Sequence, residues 1–239
     1  MTIFVIPMAG NSQRFTDAGF TEPKYMLSVG QRSLFSYALS SFSTYFGSDT
    51  FVFIYRGGQT TREFITREVG ALGIKDVHFV ELTIPTSGQA ETVSLGLQAF
   101  KELNEPVVIF NIDTMRSGFL MPERITPGFI EVFRGEGDGW SFVKQNSDGA
   151  VVEVREKERI SDLCCNGLYG FDSPERFLTA FLNPPPANSA AEAKERYVAP
   201  LYNTLLSSGH EVVVREVESS ALEFFGTPAE YELFKKQKI

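Results

Sequence analysis

The chain has 239 residues, of which 43% are hydrophobic and 22% charged, and its formal net charge is −8. This length and composition are typical of a globular protein with one large core or two small ones. The acidic balance argues against a nucleic-acid-binding protein, which needs a basic surface. No apolar stretch approaches the length of a membrane-spanning helix, so we expect neither nucleic acid nor a membrane as a partner.

Short apolar runs alternate with helical patterns over the first half of the chain. The predicted strands are 2–8, 50–56, 76–83 and 106–113. The predicted helices are 33–46, 60–73 and 88–103. This alternation predicts βαβ units, and hence a parallel sheet with helices on both faces. The run Val107–Phe110 is apolar at every position, as expected of a strand that is buried on both sides.

The pattern changes after Asp113 to that of a mixed α+β lobe packed on the same sheet. The predicted strands are 139–145, 150–157, 164–171 and 211–217, with a hairpin turn at 146–149. The predicted helices are 173–182, 193–209 and 227–237. Thr227 is the expected N-cap of the last helix, and Asn183–Arg196 is expected to be a surface loop that runs into a helix. We therefore expect a single domain over 1–239, with an α/β half of nucleotide-binding type (1–115) and a mixed α+β half (116–239).

Cysteine use and the opening segment bear on the compartment. Cys164 and Cys165 are adjacent, and neighbouring cysteines rarely pair, so both are expected to be reduced and buried. The opening run "MTIFVIPMA" has no basic segment before it and leads into a polar loop, which predicts a buried strand instead of a signal peptide. These features predict a cytoplasmic protein.

The charge is unevenly spread. Residues 1–60 carry a net charge of +1, and the remainder carries −9. A mildly positive N-terminal third on an acidic protein favours a small anionic ligand, although a difference of this size also arises by chance.

Polar residues follow the first strand, where the carboxyl end of a parallel strand opens to ligands. The loop Gly10–Arg14 has small residues whose backbone N–H groups can approach phosphate oxygens, and Arg14 adds a forked cation. Lys24 follows ten residues later and can meet the same anion. The alternative for this loop is an ordinary turn, since glycine, asparagine and serine dominate turns.

Two further strand ends carry candidate groups. Asp113 follows the apolar strand at 107–110, and an ionised carboxylate there needs compensation, for which Mg²⁺ is well suited. The alternative is that Asp113 caps the next segment. The segment "TSGQAET" offers backbone amides and the Gln89 side chain to a base, or else forms a capping box at Ser87. Together the three ends predict a nucleoside triphosphate site with its metal.

Five segments stand in a characteristic order: "PMAGNSQRF…GFTEPKYMLSVGQRSLFSYAL", "TSGQAETV", "VVIFNIDT", "VREKERISDLCCNGLYGF" and "FFGTPAEYELF". Over nearly its whole length the chain thereby resembles the sugar-nucleotidyltransferases, the nucleoside-diphosphate-sugar pyrophosphorylases and relatives of bacterial surface-polysaccharide synthesis. The resemblance implies a Rossmann-like nucleotidyltransferase fold, with a mixed, mostly parallel sheet flanked by helices. It also implies an enzyme that joins a nucleoside triphosphate and a phosphorylated metabolite, with release of pyrophosphate.

The resemblance also assigns roles, residue by residue. The implied nucleotide-binding residues are Ala9, Gly10, Asn11, Ser12, Gly88, Gln89 and Asn111. The implied catalytic residues are Arg14 and Lys24, which stabilise charge on the phosphates, and Asp113, which holds Mg²⁺. The implied acceptor-binding residues are Gly149, Glu156, Lys157 and Asn166, with Lys157 on the acceptor phosphate.

The sequence departs from the family pattern at two places. Asn11 and Ser12 stand where family members usually have glycine, which leaves the first loop less backbone freedom. Phe224 stands where many members have a second metal-binding aspartate, and Glu223 is the alternative second ligand.

Other functions and details stay open at this point. A metal-dependent glycosyltransferase of GT-A type is the first alternative, although its usual D-x-D is here N-I-D. A non-catalytic nucleotide-binding relative is the second, suggested by Phe224. The acceptor is expected to be a sugar 1-phosphate, with phosphocholine or a phosphoamide as alternatives, and the base is expected to be a pyrimidine. The 22 phenylalanines leave room for a homo-oligomeric interface.

Overall fold

The computed structural model describes residues 1–123, 125, 127–187 and 190–238. Residues 188 and 189, within the predicted surface loop, lie outside the described residues. In the described part the strands are β1 (Ile3–Met8), β2 (Ser28–Val29), β3 (Arg32–Ser33), β4 (Thr50–Tyr55), β5 (Asp76–Glu81), β6 (Val107–Phe110), β7 (Thr114–Arg116), β8 (Gly128–Arg134), β9 (Ser141–Gln145), β10 (Val151–Glu156), β11 (Leu163–Phe171), β12 (Val212–Glu216) and β13 (Leu222–Phe224).

Eight α-helices accompany these strands in the described residues. They are α1 (Gln13–Asp17), α2 (Leu34–Leu39), α3 (Gly58–Leu72), α4 (Gln89–Leu97), α5 (Pro174–Leu182), α6 (Ala190–Lys194), α7 (Tyr202–Ser207) and α8 (Pro228–Lys238). Short 3₁₀ turns lie at Lys24–Met26, Ser40–Tyr45, Gln98–Phe100, Ala199–Leu201 and Ser219–Ala221. None of the helices in the described part is long and apolar enough to cross a membrane.

One mixed sheet of nine strands organises the described residues. Its main path runs β10-β9-β11-β6-β1-β4-β5, and β8 pairs with both β11 and β12. The pairs among β6, β1, β4 and β5 are parallel, and β11 joins β6 antiparallel. The predicted fold class is confirmed: a mixed sheet with a parallel centre, flanked by helices. The division into halves at residue 115 stays a prediction.

The central strands are buried on both faces, as their continuous apolar runs predict. Along β1, Phe4 and Ile6 face the cluster under α2 and α3, whereas Ile3 and Val5 face the cluster under α4 and α5. The first of these clusters is rich in aromatic rings, with Phe4 stacked on Phe51 at a centroid distance of 4.8 Å. Each fully buried ring contributes about 1.5–3 kcal/mol of transfer free energy.

The phenylalanines serve this core. All 22 lie in the described residues, where 18 are buried, four are half-buried and none is exposed. Their number therefore gives no support to an oligomeric interface, and the oligomeric state stays open. Cys164 and Cys165 are unpaired and buried, as predicted.

Several predicted helices end earlier than their patterns suggest. Helix was predicted over 33–46, but α2 ends at Leu39 and a 3₁₀ turn follows it. Within that turn Phe42 has non-helical geometry, with φ −115°. Serine side chains compete with the helix here: Ser40 Oγ donates to the Tyr37 carbonyl at 2.6 Å. The pattern over 88–103 likewise gives α4 to Leu97 and then a 3₁₀ turn.

The helix predicted over 193–209 is wrong in its middle, where α6 ends at Lys194 and α7 begins at Tyr202. The backbone of Arg196 bonds instead to the loop before α4. By contrast, Thr227 is confirmed as the cap of α8, since its Oγ1 accepts from Glu230 N at 3.2 Å and its N–H donates to Glu230 Oε2 at 2.8 Å.

The sequence patterns missed five strands. Four are short: β2 and β3 form a hairpin, and β7 pairs with β13. The fifth is β8, which is buried over Gly128–Phe133 and takes its place in the sheet through pairs with β11 and β12.

Candidate active site

A cleft of ≈ 660 Å³ lies at the carboxyl ends of β1, β4 and β6. This is where an open α/β sheet exposes its loops to ligands. Thirteen of the predicted site residues line it: Ala9, Gly10, Asn11, Ser12, Arg14, Lys24, Gly88, Gln89, Asn111, Asp113, Glu156, Lys157 and Asn166. Two, Gly149 and Glu223, do not.

The first loop turns sharply between β1 and α1. Ser12 adopts left-handed geometry at φ 51°, which is unusual for a residue with a Cβ, and its carbonyl accepts from Phe15 N at 2.8 Å. A Cβ added to Gly10 would meet nothing within 4 Å, so the backbone is open to the cleft there. Arg14 is exposed on α1 and makes no ion pair with any other described residue. Its guanidinium is therefore available to an anion.

Lys24 and Asp113 meet across the cleft although 89 positions separate them. The Lys24 ammonium donates to Asp113 Oδ2, and the two side chains are 22% and 25% exposed. The Lys24 backbone N–H donates to Ser12 Oγ at 3.4 Å, which connects the lysine to the first loop. The Asp113 carboxylate therefore pairs with a cation instead of capping the next segment.

Arg56 is a cleft residue that the sequence reasoning missed. It follows β4, lines the cleft, and donates from Nη1 to Asn11 Oδ1 at 2.8 Å. The charge asymmetry was the available signal. Of the four cations in residues 1–60, Arg14, Lys24 and Arg56 line the cleft, whereas Arg32 lies over the Tyr37 ring.

Gln89, the first residue of α4, and Asn111, the residue after β6, contact each other in the cleft. Gln89 Nε2 donates to Asn111 Oδ1, so both side chains are oriented. The capping alternative at Ser87 holds in part: Glu91 accepts from Ser87 N at 2.5 Å and from Ser87 Oγ at 2.6 Å, and these bonds lower the pKa of Glu91. Gly88 and Gln89 nevertheless line the cleft.

Gly167 is a second cleft residue that was missed. It interrupts the register of β11 at φ 90°, and its carbonyl accepts from Asn111 N at 3.0 Å. A Cβ there would lie 2.6 Å from Asn111 Nδ2, so this close approach requires glycine. The signal was a glycine inside an apolar strand pattern, which often marks a bulge.

The far end of the cleft carries Glu156, Lys157 and Asn166. Glu156 is buried and accepts from Ser141 Oγ, and burial raises the pKa of its carboxyl group. Lys157 has left-handed geometry at φ 53°. Asn166 is also buried, donating to Glu131 Oε1 at 2.8 Å and accepting from Leu168 N at 3.0 Å. The protein itself thus engages both polar ends of Asn166.

The buried Glu156 predicts a pH-dependent stability term. Because its folded-state pKa is raised, the folded protein favours the protonated carboxyl, and this contribution is lost as the pH rises from the ordinary glutamate range through the folded pKa. Glu156→Gln should remove the term. We expect the Tm of the variant minus that of the wild type to increase between pH 4.5 and pH 8. A difference that is constant or that falls would contradict the assignment.

Gly149 was predicted at the acceptor end, and the structure places it outside the cleft. It lies in the hairpin turn between β9 and β10, at φ 81°, where Asn146 Oδ1 accepts from the N–H groups of Asp148 and Ala150. The opposite ends of the two strands, the paired Ser141 and Glu156, reach the cleft. Hairpin strands carry the turn away from the site that their other ends form.

The second metal ligand proposed at Glu223 is also not in the cleft. In β13, successive side chains alternate, so Phe224 faces the cleft whereas Glu223 Oε1 lies 3.4 Å from Lys238 Nζ. The Phe224 ring packs on Trp140 at a centroid distance of 4.8 Å. Within the described residues, no three His, Cys, Asp or Glu side chains are grouped to hold a metal ion.

A single-carboxylate site fits Asp113. Magnesium binds proteins through one or two carboxylates plus substrate phosphates. Gly226 leaves space beside this carboxylate, since a Cβ there would lie 2.9 Å from Asp113 Oδ2. Asp113 is thus one accessible oxygen donor beside cations suited to phosphates.

Comparison with solved structures identifies the family. A nucleoside-diphosphate-sugar pyrophosphorylase from Vibrio cholerae RC9 is 40% identical, with a TM-score of 0.89 over 98% of this chain and 100% of that one. The chain belongs to the nucleoside-diphosphate-sugar pyrophosphorylase family. No protein-family model and no curated protein matches it.

More distant structures share the fold of this pyrophosphorylase family member. A putative glucose-1-phosphate thymidylyltransferase from Bacillus anthracis is 16% identical, with a TM-score of 0.77 over 100% of this chain and 95% of that one. An inositol-1-phosphate CTP transferase from T. maritima is 17% identical, with a TM-score of 0.74 over 98% and 95%. The predicted family, fold and enzyme class are confirmed: the protein is a nucleotidyltransferase.

Proposed function

We propose that this pyrophosphorylase-family enzyme joins a nucleoside triphosphate to a sugar 1-phosphate at the described cleft. The proposal rests chiefly on one observation: Arg14 and the Lys24–Asp113 pair share a cleft with Lys157. Two polyanions must be brought together in this reaction, and cations at both ends of one cleft suit that task. The product would supply surface-polysaccharide synthesis in the cytoplasm.

The proposed step is in-line attack by an oxygen of the acceptor phosphate on the α-phosphorus. The nucleophile is already an anion, so no general base is required, and the α-phosphorus to pyrophosphate bond breaks as the new bond forms. Arg14 and Lys24 would stabilise the charge that accumulates on the phosphates. Gly10–Ser12 would wrap the triphosphate with backbone N–H groups, and Gln89 and Gly88 would contact the base.

Asp113 would hold Mg²⁺, which when bound supplies neutralisation of the triphosphate charge. Asp113 orients the Lys24 ammonium in the same cleft. Catalysis then depends on positioning and on charge that is arranged before the substrates meet.

Lys157 is proposed to bind the acceptor phosphate. Lys157→Ala should raise the KM for the acceptor roughly tenfold or more, since a hydrogen bond to a charged group is lost. The KM for the nucleoside triphosphate should stay near its wild-type value. An unchanged acceptor KM would contradict the assignment.

Pyrophosphate release, assayed over a panel of nucleoside triphosphates and phosphorylated acceptors, tests the proposed function. Release that requires both substrates supports it and names the base and acceptor. Sugar transfer from a nucleotide-sugar would support the glycosyltransferase alternative, and tight triphosphate binding without turnover the non-catalytic one. A thermal-shift panel narrows the search first, because a ligand at a hundred times its Kd stabilises by about 2.7 kcal/mol.

A further inference from the structure

Residues 195–198, which we term the bridge segment, cross between the two ends of the cleft. The segment follows α6, and Glu195, Tyr197 and Val198 line the cleft. The sequence pattern predicts helix here, yet α6 ends at Lys194 and the next helical turn begins only at Ala199. Something other than local propensity holds the segment in place.

One side of the bridge segment is fixed to residues 86–88, the loop before α4, which we term the nucleotide loop. Arg196 N donates to the Ser87 carbonyl at 2.9 Å, and Ala90 N donates to the Arg196 carbonyl at 2.9 Å. A Cβ added to Gly88, at φ 148°, would lie 2.5 Å from the Arg196 carbonyl oxygen. The Arg196 guanidinium lies 3.7 Å from the centre of the Phe181 ring. The two loops therefore have little freedom to move apart.

On its other side the bridge segment holds Lys157. The Lys157 ammonium donates to the Tyr197 hydroxyl at 2.6 Å and lies 4.5 Å from the centre of the Tyr197 ring. The Tyr197 hydroxyl in turn donates to Glu195 Oε2 at 2.6 Å. Each donor thus has an acceptor, and the tyrosine proton is oriented away from the lysine.

The Lys157 side chain is long and 37% exposed, and besides the Tyr197 hydroxyl its ammonium has a longer contact of 3.5 Å to Glu156 Oε1. A lysine ammonium without a partner would sample many rotamers, and the entropy lost on ordering the side chain would weaken its binding to a phosphate. The Lys157 backbone is fixed as well, with its N–H donating to the Trp140 carbonyl at 2.9 Å. Backbone and ammonium are therefore both restrained at this end of the cleft.

We propose that Tyr197 is a positioning residue, which holds the Lys157 ammonium at a fixed place relative to the nucleotide loop. This inference rests on the proposed function, in which Lys157 binds the acceptor phosphate. It adds that the geometry between the two substrates is set by the bridge segment, which touches the nucleotide loop through Arg196 and the acceptor lysine through Tyr197.

The test uses Tyr197→Phe, which removes the hydroxyl and keeps the ring. The KM for the acceptor is expected to rise roughly three- to tenfold, while the KM for the nucleoside triphosphate and the Tm stay unchanged. Tyr45→Phe is the matched control, because the Tyr45 hydroxyl accepts from Met121 N at 2.8 Å away from the cleft. The control should leave both KM values unchanged.

A second measurement does not depend on turnover. Calorimetry gives the Kd for inorganic phosphate in the wild type, Lys157→Met, Tyr197→Phe and the double variant. The difference in binding free energy between the wild type and Lys157→Met is the contribution of Lys157. Tyr197→Phe is expected to lower the contribution of Lys157 to phosphate binding, and to leave the Kd unchanged when Lys157 is already replaced. Full additivity, or phosphate binding that Tyr197→Phe leaves unchanged, overturns the proposal. Failure of the proposed function appears separately, as a wild type that binds phosphate but releases no pyrophosphate.

Discussion

Lys24→Ala and Arg14→Ala should each lower kcat about a hundredfold or more, the effect of losing one preorganised donor in a sheltered site. Lys24 is held between the first loop and Asp113, so its ammonium is in place before substrates bind. Arg14 stands on α1 without an ion-pair partner among the described residues, so an arriving phosphate does not have to displace one. In both variants the charge that develops on the phosphates loses a counter-charge, and only in Lys24 is that counter-charge already fixed before the substrates bind.

The control for this prediction is Arg32→Ala. Arg32 belongs to the same cationic third of the chain, but it lies over the Tyr37 ring and donates to the Ser36 carbonyl at 3.1 Å, outside the cleft. Its removal should change kcat less than about twofold, as expected of a surface substitution. Steady-state pyrophosphate release with both substrates saturating is the measurement. Near-normal turnover in both Lys24→Ala and Arg14→Ala would remove these residues from the proposed roles.

The sequence allowed the end of the cleft around Arg14, Lys24 and Asp113 to be predicted because its signals are local. A parallel strand must open at its carboxyl end, so polar residues placed there by β1 and β6 meet at one edge. Arg14 and Asp113 follow such strands directly, and Lys24 is only ten residues further along. Arg56 obeys the same rule after β4, and two glycines in positive-φ geometry, Gly57 and Gly58, follow it directly.

The proposed acceptor side of the cleft depends on contacts between distant segments, which local patterns do not encode. Gly149 and Glu156 belong to one hairpin, and which end of it faces the cleft is decided by its pairing with β11. The bridge segment has a helical pattern, yet hydrogen bonds to Ser87 and Ala90 override that preference. Tyr197 could therefore not be placed beside Lys157, 40 positions away, from spacing alone.

The missed strand β8 shows a related limit, since it also carries the charge that is most deeply buried in the described residues. Glu131 is 0% exposed and forms two bonds to Arg116, from Nε to Oε1 at 2.7 Å and from Nη2 to Oε2 at 3.2 Å. Glu131 Oε1 also accepts from Asn166 at the cleft wall. A single glutamate in an apolar run predicts an exposed side chain, and the sequence does not show that Glu131 is buried against Arg116.

Glu131→Ala should therefore be the most destabilising of the substitutions considered, at about 3–5 kcal/mol, because the buried charge of Arg116 would lose its counter-charge. For a domain of this size the Tm should fall by roughly 6–20 °C. Thermal unfolding, followed by circular dichroism, measures this. Asn166 would lose its hydrogen-bond acceptor, Glu131 Oε1, in the same variant. The folded fraction should therefore also bind the acceptor substrate more weakly.

Two controls decide whether buried charge is the cause. Glu216→Ala removes a glutamate that pairs with Arg134 at 2.8 Å, but these side chains are 47% and 64% exposed, so the loss should stay within about 0.5 kcal/mol. The double replacement Glu131→Leu with Arg116→Met removes both charges and should recover much of the Tm, since apolar pairs of similar volume often replace buried ion pairs without loss. If the double variant were as unstable as Glu131→Ala, lost packing would explain the effect. If Glu131→Ala unfolded like Glu216→Ala, water would have to reach Arg116, against the burial seen for both side chains.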